Sequence, residues 1–125
     1  MRTVLGVLMV SNAALFFFGA VQHAGVRLGR FHEPTIIPAS IVETTCGLFL
    51  ACGGVAILGH FSSRWSIALI GNLVALGGVL LGMVALAAGW GPRTASNDFY
   101  HRLMLVLIGA SLLLLFVAKS ELQRS

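Results

Sequence analysis

Charge is scarce in this chain. Only 10% of its 125 residues are charged, four of them acidic, and the mean hydropathy is +0.96. So few charges cannot solvate the surface of a water-soluble domain of this size, which excludes an ordinary soluble globule. The excess of base over acid gives a net charge of +4 and a pI near 10.1. No basic block follows from it: the arginines and lysine sit singly at the ends of apolar runs, where they anchor to headgroups. A nucleic-acid partner is therefore not expected. Cysteine is limited to Cys46 and Cys52. Six residues turn a helix by about 600°, so the two point apart and cannot form a disulfide with each other. There is no CxxC, HExxH or GxSxG, and no glycine loop followed by Lys-Ser/Thr. The isolated chain is not expected to be an enzyme of any standard class.

What the sequence has in abundance is apolar runs near twenty residues long, the length needed to cross about 30 Å of hydrocarbon. Four spans are predicted, at about 4–21, 38–59, 66–89 and 99–118. In lipid every backbone group must be satisfied internally, so these spans must be helices. The expected fold is all-α: a polytopic membrane protein forming one four-helix transmembrane bundle over residues 1–125. Met1-Arg2 ahead of the first run imitates a signal peptide, but the run reads as a retained first helix. The loops are Gln22 to about Thr35, the brief "HFSSRW" at 60–65, and "WGPRTASND", with "KSELQRS" as a tail.

Basic residues do not fix the orientation. Arg2, Arg64, Lys119 and Arg124 lie on the side of the termini; Arg27, Arg30, Arg93 and Arg102 lie opposite. The positive-inside rule is tied, and only the free amino terminus tips the termini toward the cytoplasm of a cell membrane. Dual topology stays open. Gly78 and Gly82 have GxxxG spacing in the third span, which suits close packing within the bundle or a homodimer seam.

Polar residues gather at one end. Asn12, Phe16, Gly19 and His23 share one stripe of the first helix, because eleven residues make almost three turns. Glu43 is the one acid well inside an apolar run, where a carboxylate must be paired, protonated or wet. In the fourth helix Asn97, His101, Met104 and Ile108 share a face, and the third adds Asn72. His23, His32, Glu33, Glu43, Arg93, Asp98 and His101 all fall at the end bearing the first and third loops. Connecting loops account for His32, Glu33 and Asp98, but not for Glu43 or for histidines pointing back into helices. The predicted site is His23, Glu43 and His101, with Asn97 and Arg93 beside them. Imidazole and carboxylate from three helices suit a transition metal. They also suit a quinone headgroup, whose carbonyl needs a donor and a proton-handling carboxyl.

"FFFGAVQH" followed by "IIPASIVETTCGLFL" resembles the DoxX-like group of small four-helix membrane proteins: Phe-x-Gly then His closing one helix, proline and acid opening the next. The resemblance covers residues 14–58. It implies a four-helix bundle and an association with quinone-linked membrane redox complexes. The leading expectation is thus a small membrane subunit or accessory protein with a His/Glu pocket for a quinone or a metal, its partners being the lipid bilayer and redox subunits. One rival is a proton-coupled small transporter with Glu43 as the carrier carboxylate, although Glu43 lies near one end rather than at the midplane. Another is a purely structural membrane partner whose polar residues are interhelical glue.

Overall fold

A computed structural model describes residues 1–124. Four helices are long and apolar enough to cross a membrane: α1 (Arg2–His23), α2 (Ile37–Leu58), α3 (Arg64–Ala87) and α4 (Ala95–Val117). A short α5 (Lys119–Arg124) follows. The expected all-α four-helix bundle is the fold found. At ~1.5 Å per residue the four long helices are each roughly 33–36 Å long, enough to span a bilayer.

Local chemistry sets the ends. After α1, Gly25 adopts φ +92, a left-handed conformation open to glycine, and turns the chain into the first loop. Pro38 stands in the first turn of α2, where its missing N–H costs nothing. Thr94 caps α4, its hydroxyl accepting from the Asn97 N–H at 3.1 Å. That cap starts α4 four residues ahead of the expected Phe99, so polar Ser96 and Asn97 are helical. The tail after the fourth span folds back as α5. Leu122 is buried, Arg64 Nε donates to its carbonyl at 3.0 Å, and Lys119 lies 4.9 Å over the Trp65 ring. This closes the end of the bundle that bears the termini.

α1 packs most extensively on α2 and α2 on α3, with looser contact between α3 and α4 and between α1 and α4. Small residues make the tight seams. A Cβ on Gly54 would lie 3.1 Å from the Gly6 carbonyl oxygen on α1, and one on Gly71 only 2.6 Å from the Phe49 carbonyl oxygen on α2. The GxxxG pair belongs to the same system. Gly78 faces Cys46 and Val42 of α2, and Gly82 faces His101 of α4. Both glycines are thus used for close packing within the chain.

Asn12 and Asn72 are both fully buried, as interior amides should be. They differ in satisfaction. Asn72 Nδ2 donates to the Ala68 carbonyl at 2.9 Å, whereas neither amide atom of Asn12 has a partner among the described residues. An unmade hydrogen bond costs more than an absent polar group. Asn12→Leu is accordingly expected to stabilise the bundle by about 1 kcal/mol, and Asn72→Leu to destabilise it by about 0.6 kcal/mol. Reversible unfolding in mixed micelles checks both signs.

Candidate functional site

The site is built where α1 ends and α2 begins. His23 is the last residue of α1, and Glu43 sits six residues into α2, about 9 Å below its start. Their side chains meet: His23 Nδ1 and Glu43 Oε2 are 2.8 Å apart, at 3% and 6% residue exposure. The acid expected to need a partner at that depth has one.

The second carboxylate oxygen reaches toward α1 and α4. A Cβ on Gly19 would stand 2.7 Å from Glu43 Oε1 and 2.9 Å from the Tyr100 hydroxyl, so a glycine makes the room in which acid and phenol meet. Tyr100 also donates weakly to the Leu15 carbonyl at 3.4 Å. Sequence reasoning passed over Tyr100. The signal lay in "FYHR": consecutive helical residues point about 100° apart, so if His101 faces α3 then Tyr100 faces α1.

His101 is buried on the other flank. Its Nδ1 lies 2.8 Å from the Asn97 carbonyl oxygen of its own helix, to which it donates, and its Nε2 nests against Gly82. Asn97 is buried beside it. Arg93 does not join them. Its Nε donates to both carboxylate oxygens of Asp98, at 3.0 and 2.9 Å, on the exposed surface of the third loop. It does not line the cavity beside His101 and Asn97: Asp98 in the first turn of α4 captures it, in an exposed pair worth about 0–1 kcal/mol. The metal reading gains no support. Among the described residues no three histidine, cysteine or acidic side chains are grouped to hold an ion. One His23 nitrogen is committed to Glu43, while His101 is held by its own helix and turned toward α3.

What His23, Glu43, Asn97 and His101 do share is a cavity of about 370 Å³ between the loop ends of α2, α3 and α4. Its walls are otherwise apolar, with Val42, Leu81, Leu86 and Trp90 among them. His23 Nε2 is buried without a hydrogen-bond partner among the described residues. A buried imidazole nitrogen left open is costly, and it is the group a ligand would satisfy.

Protein-family models, curated proteins and solved structures give no match to this chain.

The geometry suits the pair to hold one proton between its two members. Without the extra proton, His23 Nδ1–H donates to the Glu43 carboxylate and Nε2 presents a lone pair. With it, whether the proton is counted on the acid or on the ring, Nε2 carries hydrogen and donates. Loading the pair with a proton thus converts the open nitrogen from acceptor to donor.

Above this, Glu33 joins the loops. It is nearly buried and accepts from the Thr94 hydroxyl at 2.7 Å and from the Ser96 hydroxyl. This latch holds the first loop against the start of α4. His32 stays exposed on that loop.

Proposed function

We propose that this chain is a small integral membrane quinone-binding protein, serving as a subunit or accessory protein of a membrane redox complex. The observation that carries the reading is the open Nε2 of His23, fixed through Nδ1 by Glu43 and lining an apolar cavity of about 370 Å³. A quinone supplies carbonyl oxygens that take up protons when its ring is reduced. The His23–Glu43 pair would hold one such proton at Nε2 and donate a hydrogen bond to a carbonyl; once emptied, it would accept from a hydroxyl. His101 and Asn97 bound the headgroup space, and Leu81, Leu86 and Trp90 line it with apolar surface. The link to a redox complex is supported by the resemblance of residues 14–58 to the DoxX-like group.

Trp90 provides the test, because it lines the cavity while Trp65 packs at the far end against Phe116 and Lys119. In a Trp65→Phe protein, a decyl-substituted benzoquinone is expected to quench Trp90 saturably. Quenching that rises only linearly with quinone in the micelle would contradict binding.

The reading places the chain in the cell membrane with both termini cytoplasmic and the His23 end facing outward. In a Cys46→Ala/Cys52→Ser background, Arg27→Cys should then label with an impermeant thiol reagent from outside, and Ser62→Cys only after lysis. Labelling of both positions from both sides would indicate dual topology and favour a proton-coupled transporter.

A further inference from the structure

Independently of the quinone cavity, we propose that the groove between α1 and α4, beneath the first loop, binds one anionic phospholipid. α1 and α4 meet more loosely than α1 with α2, α2 with α3 or α3 with α4, and a second cavity of about 330 Å³ lies between them. His23 and Asn97 form the wall it shares with the first cavity.

The groove is amphiphilic along the membrane normal. Its deep part is apolar, with Leu15, Phe18 and Leu103 along it. Its outer part carries Gln22, Arg30 and His32. Gln22 and Leu15 are seven residues apart on α1, so polar and apolar zones are separated by about 10 Å. The outer zone coincides with the end of the spanning segment, at headgroup depth.

The open donors set the kind of ligand. Arg30 makes no hydrogen bond or ion pair among the described residues. Glu33, the one acid in the lining, has both carboxylate oxygens taken by Thr94 and Ser96. The Gln22 side chain is only 6% exposed, lines the groove and has no hydrogen-bond partner among the described residues. A phosphate diester accepts from both the guanidinium and the amide. A free anion would leave the apolar floor bare, and a purely apolar molecule would leave Arg30 and Gln22 unsatisfied. A lipid tail on an anionic head uses both. The Phe31 ring, packed edge-on against Phe18 at 5.6 Å, roofs the groove where head and chain would join.

The experiment is a titration of the full chain with phosphatidylglycerol in phosphatidylcholine mixed micelles, with retained lipid counted by native mass spectrometry. One phosphatidylglycerol per chain is expected, in preference to phosphatidylcholine. Arg30→Gln should weaken it about fivefold, the loss of one basic residue near the headgroups. Leu103→Trp should displace it by filling the groove; Leu103 is 36% exposed, so the larger ring has room to fold. Arg27→Gln, on the same loop but outside the lining, should change affinity by less than twofold. Equal losses from Arg27→Gln and Arg30→Gln would overturn the proposal, since they would indicate diffuse attraction to the loop. So would retention of phosphatidylcholine equal to that of phosphatidylglycerol, or full displacement by inorganic phosphate. Trp90 quenching by quinone is read in the other cavity, so either result can fail without the other.

Discussion

Replacing Glu43 with alanine is expected to lower the unfolding free energy by about 3 kcal/mol. Two ranges compete for this figure. Interhelical hydrogen bonds in membranes are worth about 0.6 kcal/mol on average and at most about 1.7 kcal/mol. Breaking a buried ion-paired couple by removing one partner costs about 3–5 kcal/mol, because the survivor is left unsatisfied. The second range governs here, since His23 and Glu43 are 2.8 Å apart with residue exposures of 3% and 6%. The low end applies because the adjoining cavity gives the stranded imidazole some access to water. The double replacement His23→Leu/Glu43→Leu removes both polar groups and should recover most of the loss. Reversible unfolding of His23→Leu, Glu43→Leu and the double variant therefore closes a cycle with a coupling near 2 kcal/mol. Additive losses would show that the pair is not coupled.

The second large effect lies at the α2–α3 seam. Gly71→Ala is expected to destabilise by about 2–3 kcal/mol. The added Cβ would stand 2.6 Å from the Phe49 carbonyl oxygen and 3.1 Å from its carbon. Both are backbone atoms of a helix, so no side-chain rotation relieves the clash and the helices must separate. Gly77→Ala is the matched control on the same helix. Nothing lies within 4 Å of its Cβ position, so the gain in helix propensity should stabilise by about 0.5 kcal/mol. Thermal unfolding in one detergent should move in opposite directions for the two. Equal losses would indicate that glycine serves α3 through flexibility rather than close approach.

Much of this fold is legible in the sequence because the bilayer imposes a simple rule. Long apolar runs must be helices of a set length, and the four spans fall within four residues of their expected ends. The largest shift, at the start of α4, came from the Thr94 cap, which a hydropathy pattern does not register. α5 was invisible for a related reason. "KSELQR" is polar by composition, and only Leu122 meeting the Arg64 side chain gives it a place to dock.

The site was legible where a cost demanded a partner. Glu43 could not stand alone in an apolar run, and the stripe carrying Asn12, Gly19 and His23 pointed at it. Rotation on the fourth helix was harder to use. His101 was expected to converge on the acid, but it turns to α3 and bonds its own carbonyl, while the adjacent Tyr100 meets Glu43 over Gly19. Arg93 was grouped with the site because it falls at the same end of the bundle, whereas Asp98, five residues away, pairs with it. Gly78 and Gly82 carried a spacing that serves intramolecular and intermolecular contact equally, and only the placement of α2 and α4 decides between them.

The central claim is that the His23–Glu43 pair recognises a quinone headgroup in the apolar cavity. The most direct measurement is the Trp90 quenching titration with decyl-substituted benzoquinone in the Trp65→Phe protein, repeated for His23→Gln, Glu43→Gln and His101→Gln. Each replacement keeps a polar side chain while removing a titratable group. The account predicts that His23→Gln weakens the quinone about tenfold, the value of one well-placed hydrogen bond of about 1.4 kcal/mol. Glu43→Gln should weaken it comparably, because the amide cannot store the proton that makes Nε2 a donor, and His101→Gln should weaken it less. Unchanged affinity in all three variants, with saturable quenching intact, would contradict the account and leave His23 and Glu43 as a structural joint between α1 and α2.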